Sequence, residues 1–151
     1  MRILVLSRAT LGVCFGALVL VGCKRESRLQ ATTFETHDAW VRSAPDTGST
    51  TAAYIRFVNG SPDTVVVSHF ESDAARIVEL HRSSTDGAGE SHMTMQNVLV
   101  VAPNHSLAMK PGGYHLMLIG TTESLPAGKL VRIVMHLSNG SIIATSARVK
   151  L

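Results

Sequence analysis

Short strand-like runs separated by turn signals constrain the fold of this chain more than any other feature of its sequence. The clearest case is a pair of apolar runs, 130–137 and 142–149, joined by Asn139-Gly140. That dipeptide is typical of a tight β-hairpin. Residues 52–59 alternate in polarity, so their side chains divide between two faces of a strand. We find no amphipathic helical pattern longer than two turns and no internal repeat, and the series predicts an all-β domain.

Further runs extend this pattern along the chain. Strands are expected over 38–42, 64–70, 76–81, 92–101, 107–110 and around 114–117. The polar stretch 83–91 contains Asp86-Gly87 and Gly89 and predicts a long loop, with His81 at its lip. Many short strands at regular spacing indicate a β-sandwich or barrel. Because aromatic residues make up only 5% of the chain, the core must consist mainly of Val, Ile, Leu and Ala.

The N-terminus has the pattern of an export signal. A basic start is followed by the apolar run Thr10 to Val21, which is too short to span a bilayer but suits the core of a signal peptide. The run ends in Leu20-Val21-Gly22-Cys23, which resembles the bacterial lipobox, in which cleavage precedes a cysteine that is then lipidated. We therefore expect a signal peptide over 1–22, a lipidated Cys23 with a flexible tether over 23–34, and a folded domain over 35–151.

The predicted cleavage and lipidation determine where the mature protein is located and which cysteines it keeps. Lys24 follows the cysteine, where an aspartate would retain many Gram-negative lipoproteins at the inner membrane. The lipobox resemblance therefore implies an acyl anchor in the outer membrane, facing the periplasm. Cys14 lies inside the signal, so the mature chain keeps only the acylated Cys23. No thiolate ligand, thiol nucleophile or disulfide is then expected.

The charge balance argues against a nucleic-acid partner. The chain has fourteen basic and eleven acidic residues, for a formal net charge of +3. Arg2 and Arg8 lie in the predicted signal, and without them the mature chain is near +1. A nucleic-acid binder needs a basic face, and no run of lysines and arginines occurs.

Histidine and methionine carry the most specific signal for chemistry. If Leu116 lies in a strand, then His115 and Met117 share one face, about 7 Å apart along it. An imidazole beside a thioether is half a site for a soft metal such as Cu(I). His81 and the Met93-x-Met95 pair, which has the same strand spacing, are candidates for the other half. The turn Pro111-Gly112-Gly113 is then interpreted as a hinge that sets the His-x-Met strand against the Met-x-Met strand.

These residues resemble the family of periplasmic copper chaperones called PCu(A)C. That family is marked by a histidine, a methionine about ten residues later, twenty-one further residues and then His-x-Met. Here eleven residues separate His81 from Met93, and twenty-one separate Met93 from His115, with Met117 completing the motif. Further similar segments are Ala39-Trp40-Val41-Arg42, Ala52-Ala53-Tyr54, Val78-Glu79-Leu80-His81 and 107–117, so the resemblance covers roughly 35–150.

The resemblance implies a cupredoxin-like Greek-key β-sandwich with a Cu(I) site formed by two histidines and two methionines. Carried over to this sequence, the ligands are His81, Met93, His115 and Met117. The first interval is one residue longer than the family's, so Met95 and His92 remain rival or outer-shell ligands. We expect a shallow site at a loop edge, where replacing His115 with alanine leaves the fold intact. The chain ends without a His/Met-rich extension of the kind some relatives carry for a second copper.

The family resemblance further implies a copper chaperone that is not an enzyme. Its protein acceptor would be the dinuclear copper centre of cytochrome c oxidase or another copper chaperone. The sequence contains no nucleophile elbow or phosphate-binding loop. Two alternatives stay open: a lipoprotein that sequesters copper for resistance, and a metal-free envelope lipoprotein that binds a protein partner.

Overall fold

The computed structural model describes residues 33–151, and within this range every regular element is a β-strand. The predicted signal peptide, the lipidated Cys23 and all but the last two residues of the predicted tether lie outside the described residues. The strands are β1 Phe34–Arg42, β2 Thr50–Asn59, β3 Val65–Glu71, β4 Ala75–Thr85, β5 Ser91–Met95, β6 Leu99–Val101, β7 Ser106–Ala108, β8 Tyr114–Thr121, β9 Leu130–Leu137 and β10 Ile142–Lys150. The all-β prediction is confirmed. The described residues contain no helix long and apolar enough to cross a membrane.

The strands form one continuous sheet around a single core. Their order is β5-β4-β8-β2-β1-β10-β9-β3-β6, with β7 paired to β2. Pairing is antiparallel except between β1 and β10. The large, fully buried side chains are aliphatic apart from Phe57 and Met135, as the low aromatic content predicts. At one end of the sheet, β5, β4, β8 and β2 lie side by side.

Local sequence signals place several elements correctly. In β2, Ala53, Ile55 and Phe57 are all buried on the predicted core face, whereas Arg56 and Val58 of the other face are only half-buried and Tyr54 of that face is buried as well. The Asn139-Gly140 hairpin joins β9 to β10, with Gly140 at a φ of +85°. That left-handed conformation suits glycine because it has no Cβ. The backbone N–H of Gly140 donates to the carbonyl of Leu137 at 2.9 Å and closes the turn.

The predicted loop over 83–91 is wrong. β4 continues to Thr85 and β5 starts at Ser91, which leaves only 86–90 as the connection of a hairpin. The polarity of Ser83, Ser84 and Thr85 is typical of a loop, but their ladder to β5 is largely exposed and needs no apolar side chains. His81 consequently lies inside a strand rather than at the lip of a loop.

The predicted strand region 92–101 is two strands. β5 and β6 are separated by three residues and lie at opposite ends of the sheet order. Gln96 and Asn97 interrupt this stretch, but the sequence does not reveal which neighbours its two halves pair with. The split leaves β5 as an edge strand whose only partner among the described strands is β4, and that position determines the exposure of Met93 and Met95.

Candidate metal centre

Two histidines lie opposite each other on neighbouring strands. His81 of β4 pairs with His115 of β8, and their ring centroids are 5.9 Å apart. Directly opposed residues of antiparallel strands project to the same face of the sheet. The register of β4 on β8 therefore places two imidazoles side by side.

The protonation pattern of His115 follows from a backbone contact. Its Nδ1 lies 3.0 Å from the carbonyl oxygen of Gly113. Because a carbonyl can only accept, Nδ1 must carry the proton, and Nε2 of the neutral ring keeps its lone pair. The turn before β8 aims this carbonyl back at the ring, with Gly112 at a φ of +78° and the N–H of Gly113 donating to Lys110. Such a backbone acceptor is a common partner of metal-binding histidines.

His81 is held by a carboxylate. Its Nε2 lies 2.9 Å from Oε2 of Glu79, two residues earlier on the same face of β4. The ionised carboxylate accepts a hydrogen bond from the Nε2–H, so the lone pair of the ring is on Nδ1. That Nδ1 is buried and has no hydrogen-bond partner among residues 33–151. Leaving a buried polar atom without a partner costs free energy, and a bound ion would supply the missing contact.

Two methionines share this face with the histidines. Met117 pairs with Glu79 on β4 and with Ala52 on β2. Met93 of β5 pairs with Ser83, two residues beyond His81 on the same face of β4. Met93, His115 and Met117 line one open pocket of about 400 Å³. The structure thus brings together the four residues of the predicted ligand set, three of them around one pocket and His81 directly beside it.

The two rival residues occupy different positions. Met95 lies directly opposite His81 in the register, but its side chain lines a separate groove with Glu79 and Asn97. His92 alternates to the other face of β5, where its Nε2 lies 2.9 Å from Asp86. The structure therefore does not bring His92 to the pocket, and it places Met95 beside the site without lining it.

Two expectations about the surroundings of the site are corrected. β4 lies between β8 and β5, so the turn at 111–113 does not set the two methionine-bearing strands against each other. Instead, the Gly113 carbonyl accepts from the Ser83 N–H and contacts His115. The site is also not wholly shallow, because His115 is only 5% exposed. Replacing it with alanine would remove buried packing, contrary to the expectation of an unaffected fold.

Sequence reasoning assigned no role to two residues at the site. Glu79 orients His81, and its spacing of two residues within a strand could have indicated this. Tyr54, which is 5% exposed, has its ring centroid 6.3 Å from that of His115 and stacks on Trp40 at 4.4 Å. The aromatic pair forms a wall beside His115. The position of this pair next to His115 depends on the pairing of β2 with β1 and β8, which no local sequence pattern encodes.

Comparison with known proteins places the chain in a family. Residues 34–149 match the family described as "Putative lipoprotein LpqE-like". The "Putative lipoprotein Lxx21020" of Leifsonia xyli subsp. xyli is 29% identical over 121 residues, which is 80% of this chain and 72% of that protein.

Solved structures share the fold. The copper-bound PCuAC domain from PmoF2 superposes with a TM-score of 0.64 at 18% identity, covering 78% of this chain and 92% of that domain. The Cu(I) form of DR1885 from Deinococcus radiodurans gives 0.61 at 25% identity, covering 83% of this chain and 81% of that protein. The cupredoxin-like fold expected from the resemblance is therefore confirmed. Because the family match spans nearly all of the described strands, this chain belongs to the LpqE-like lipoprotein family.

Proposed function

We propose that this protein is a cell-envelope copper chaperone that binds one Cu(I) ion through His81, Met93, His115 and Met117. The observation that carries the proposal is the pair of opposed imidazoles. Each has its proton held on the nitrogen that faces a protein acceptor, so His81 Nδ1 and His115 Nε2 are free to bind a cation. Both histidines lie beside two thioethers.

The donor types favour Cu(I) over other ions. Thioether sulfur is a soft ligand that suits Cu(I) and discriminates against Mg²⁺ and Ca²⁺. Zinc sites in proteins are built from cysteine, histidine and carboxylate, so two methionines are a poor set for zinc. Blue-copper electron transfer requires a cysteine ligand, and no cysteine occurs among the described residues. The site therefore suits carriage of Cu(I) rather than redox turnover.

Release of the ion is supported by the position of Met93. Its side chain is 55% exposed and belongs to an edge strand. An acceptor that approaches this edge could replace the Met93 sulfur with one of its own ligands before the two histidines release the ion. Two known proteins of this fold are named as copper-bound or Cu(I) forms, which supports extending copper carriage to this chain.

The proposed location rests on the sequence and is supported by the family, whereas the acceptor rests on the family resemblance alone. A lipidated Cys23 would tether the domain, and the matching family is described as one of putative lipoproteins. We place the protein on the periplasmic side of the outer membrane, with the dinuclear copper centre of cytochrome c oxidase, or another copper chaperone, as the acceptor. A tethered carrier restricts its search for membrane partners to the envelope.

A competition titration tests Cu(I) binding directly. The mature protein is titrated anaerobically against a chromogenic Cu(I) chelator, and X-ray absorption counts the neighbours of the bound ion. We expect one Cu(I) per chain with two nitrogen and two sulfur neighbours. Failure to withdraw Cu(I) from the chelator would refute the proposal.

Delivery is tested separately in a deletion strain grown at low copper. We expect cytochrome c oxidase activity to fall and to recover when copper is added. Normal oxidase activity, together with full Cu(I) binding in vitro, would instead identify a protein that sequesters copper.

A further inference from the structure

A second pair of opposed histidines lies on β3 and β9, toward the other end of the strand order, and one of them, His69, lines the same groove as Glu79 and Met95. His69 of β3 pairs with His136 of β9, and their ring centroids are 5.6 Å apart. Glu71 follows two residues after His69 on the same face. The pairing brings two imidazoles and one carboxylate together on strands that contribute nothing to the copper pocket.

The contacts within this cluster have the spacing of metal ligands. Oε1 of Glu71 lies 3.3 Å from Nε2 of His69 and 3.4 Å from Nε2 of His136. A tetrahedral ion with bonds of about 2.0–2.1 Å separates neighbouring ligand atoms by about 3.3–3.4 Å. Two of the three donor–donor separations therefore already match. The third separation, between the Nε2 atoms of the two histidines, is wider than 4.8 Å, so the exposed His69 side chain has to rotate when the ion binds.

One nitrogen of the cluster has no satisfactory partner. Nε2 of His136 is buried and makes no hydrogen bond within the part of the chain that the structure describes, although it lies near the Glu71 carboxylate. Arg76 and Arg132 line the same 620 Å³ cavity as Glu71. Among the described residues, however, the ion-pair contacts of Glu71 are to the two histidines. The carboxylate oxygen thus lies between two imidazole nitrogens, where a cation would satisfy all three groups.

We propose that His69, Glu71 and His136 form a second metal site, for a borderline divalent cation such as Zn²⁺ or Cu²⁺. Imidazole and carboxylate are the ligands that Zn²⁺ takes in open sites, with water in the fourth position. The cluster contains no thioether, so it lacks the soft donor that favours Cu(I) at the first site. The sheet then carries two pairs of opposed histidines. The thioethers beside the first pair favour Cu(I), and the carboxylate beside the second pair favours a divalent cation.

The test is a Zn²⁺ titration of the mature protein preloaded with Cu(I). Binding is monitored through the imidazole NMR resonances of each histidine and by calorimetry. We expect Zn²⁺ to shift the His69 and His136 rings. His69→Ala and Glu71→Gln should each weaken Zn²⁺ binding by at least about tenfold, and both side chains are exposed, so the fold should persist. His105→Ala, which removes an exposed histidine of the 102–105 turn, is the matched control.

Three results would overturn this site: His69 and His136 rings that do not move, equal losses in His105→Ala, or shifts confined to His92. The last result would place the ion instead at the exposed group of Asp86, Glu90 and His92, whose ligand atoms lie within 4.8 Å of one another. The Cu(I) titration of the same variants is independent. It should stay at one ion per chain, so failure of the second site and failure of the copper proposal are distinguishable.

Discussion

The two halves of the candidate copper site differ in how firmly the fold holds them. The imidazole half belongs to the interior of the sheet: His115 is 5% exposed, and the side chain of His81 is 17% exposed. Part of the thioether half belongs to an edge: Met93 is 55% exposed, and all five residues of β5 are exposed. One half is preorganised, and the other is open to an approaching partner.

This difference suggests a division of labour. β4 pairs with β8 from Ala75 to Arg82, and each imidazole has a fixed proton, so binding need not reorganise them. β5 pairs with β4 alone, and methionine has flexible, unbranched side-chain geometry. Affinity should therefore depend most on the histidines, and the rate of exchange on Met93.

The largest expected effect comes from the preorganised half. His115→Ala removes a ligand and should weaken Cu(I) binding by more than about 100-fold, since even outer-shell changes cost 10–100-fold. Loss of a buried, hydrogen-bonded ring should also lower the free energy of unfolding by about 1–3 kcal/mol. Chelator competition and urea denaturation measure the two effects. A folded variant with nearly unchanged Cu(I) affinity would contradict the inference that the affinity depends most on the histidines.

The partner of His81 should have the next largest effect. Glu79→Ala leaves Nε2 without its acceptor, and the ring is then free to turn its lone pair away. We expect a 10- to 100-fold weaker affinity for Cu(I). Glu79→Gln is the matched control, because its carbonyl can still accept from Nε2 and should recover most of the affinity. Equal losses of Cu(I) affinity in the two variants would show that the negative charge of Glu79 matters, rather than its orientation of the His81 ring.

The exposed half should show smaller equilibrium effects and clearer kinetic ones. Met93→Leu removes the sulfur but keeps the apolar volume, and we expect about tenfold weaker binding, or about 1.4 kcal/mol, with unchanged stability. Met95→Leu is the control, since Met95 is on the same strand and is 60% exposed. Stopped-flow transfer to a chelator should accelerate only for the Met93 variant. The opposite pattern would assign the ligand role to Met95.

The smallest effect concerns the tip of the hairpin that carries β5. The hydrogen bond from His92, followed by the backbone N–H of Glu90, lowers the pKa of Asp86 below its ordinary value of 3.8. The ionised Asp86 carboxylate therefore stabilises the hairpin fully above its ordinary pKa. This stabilisation is lost as the pH falls through the lowered pKa. The Ala88 amide shift should report a midpoint below 3.8 in the apo protein. In His92→Ala the midpoint should rise, and an unmoved midpoint would contradict this assignment.

Much of the site was predictable from local pattern. The two-residue period of a strand places His115 and Met117 on one face, and alternation in 52–59 identifies the buried side of β2. Asn139-Gly140 identifies its hairpin without further information. These features are determined by neighbours in the sequence. The four candidate ligands were instead implied by the family resemblance, with Met95 and His92 left as rivals, and the structure brings the four to one face.

Only the tertiary structure decided which strands meet. The position of β4 between β8 and β5, the burial of His115, the opposition of His81 to His115, and the placement of Met93 rather than Met95 in the pocket all depend on pairing between distant segments. A shift of one residue in such a pairing would turn every side chain to the other face. Local periodicity gives the face of a residue within its own strand, but it contains no information about the register of the next strand.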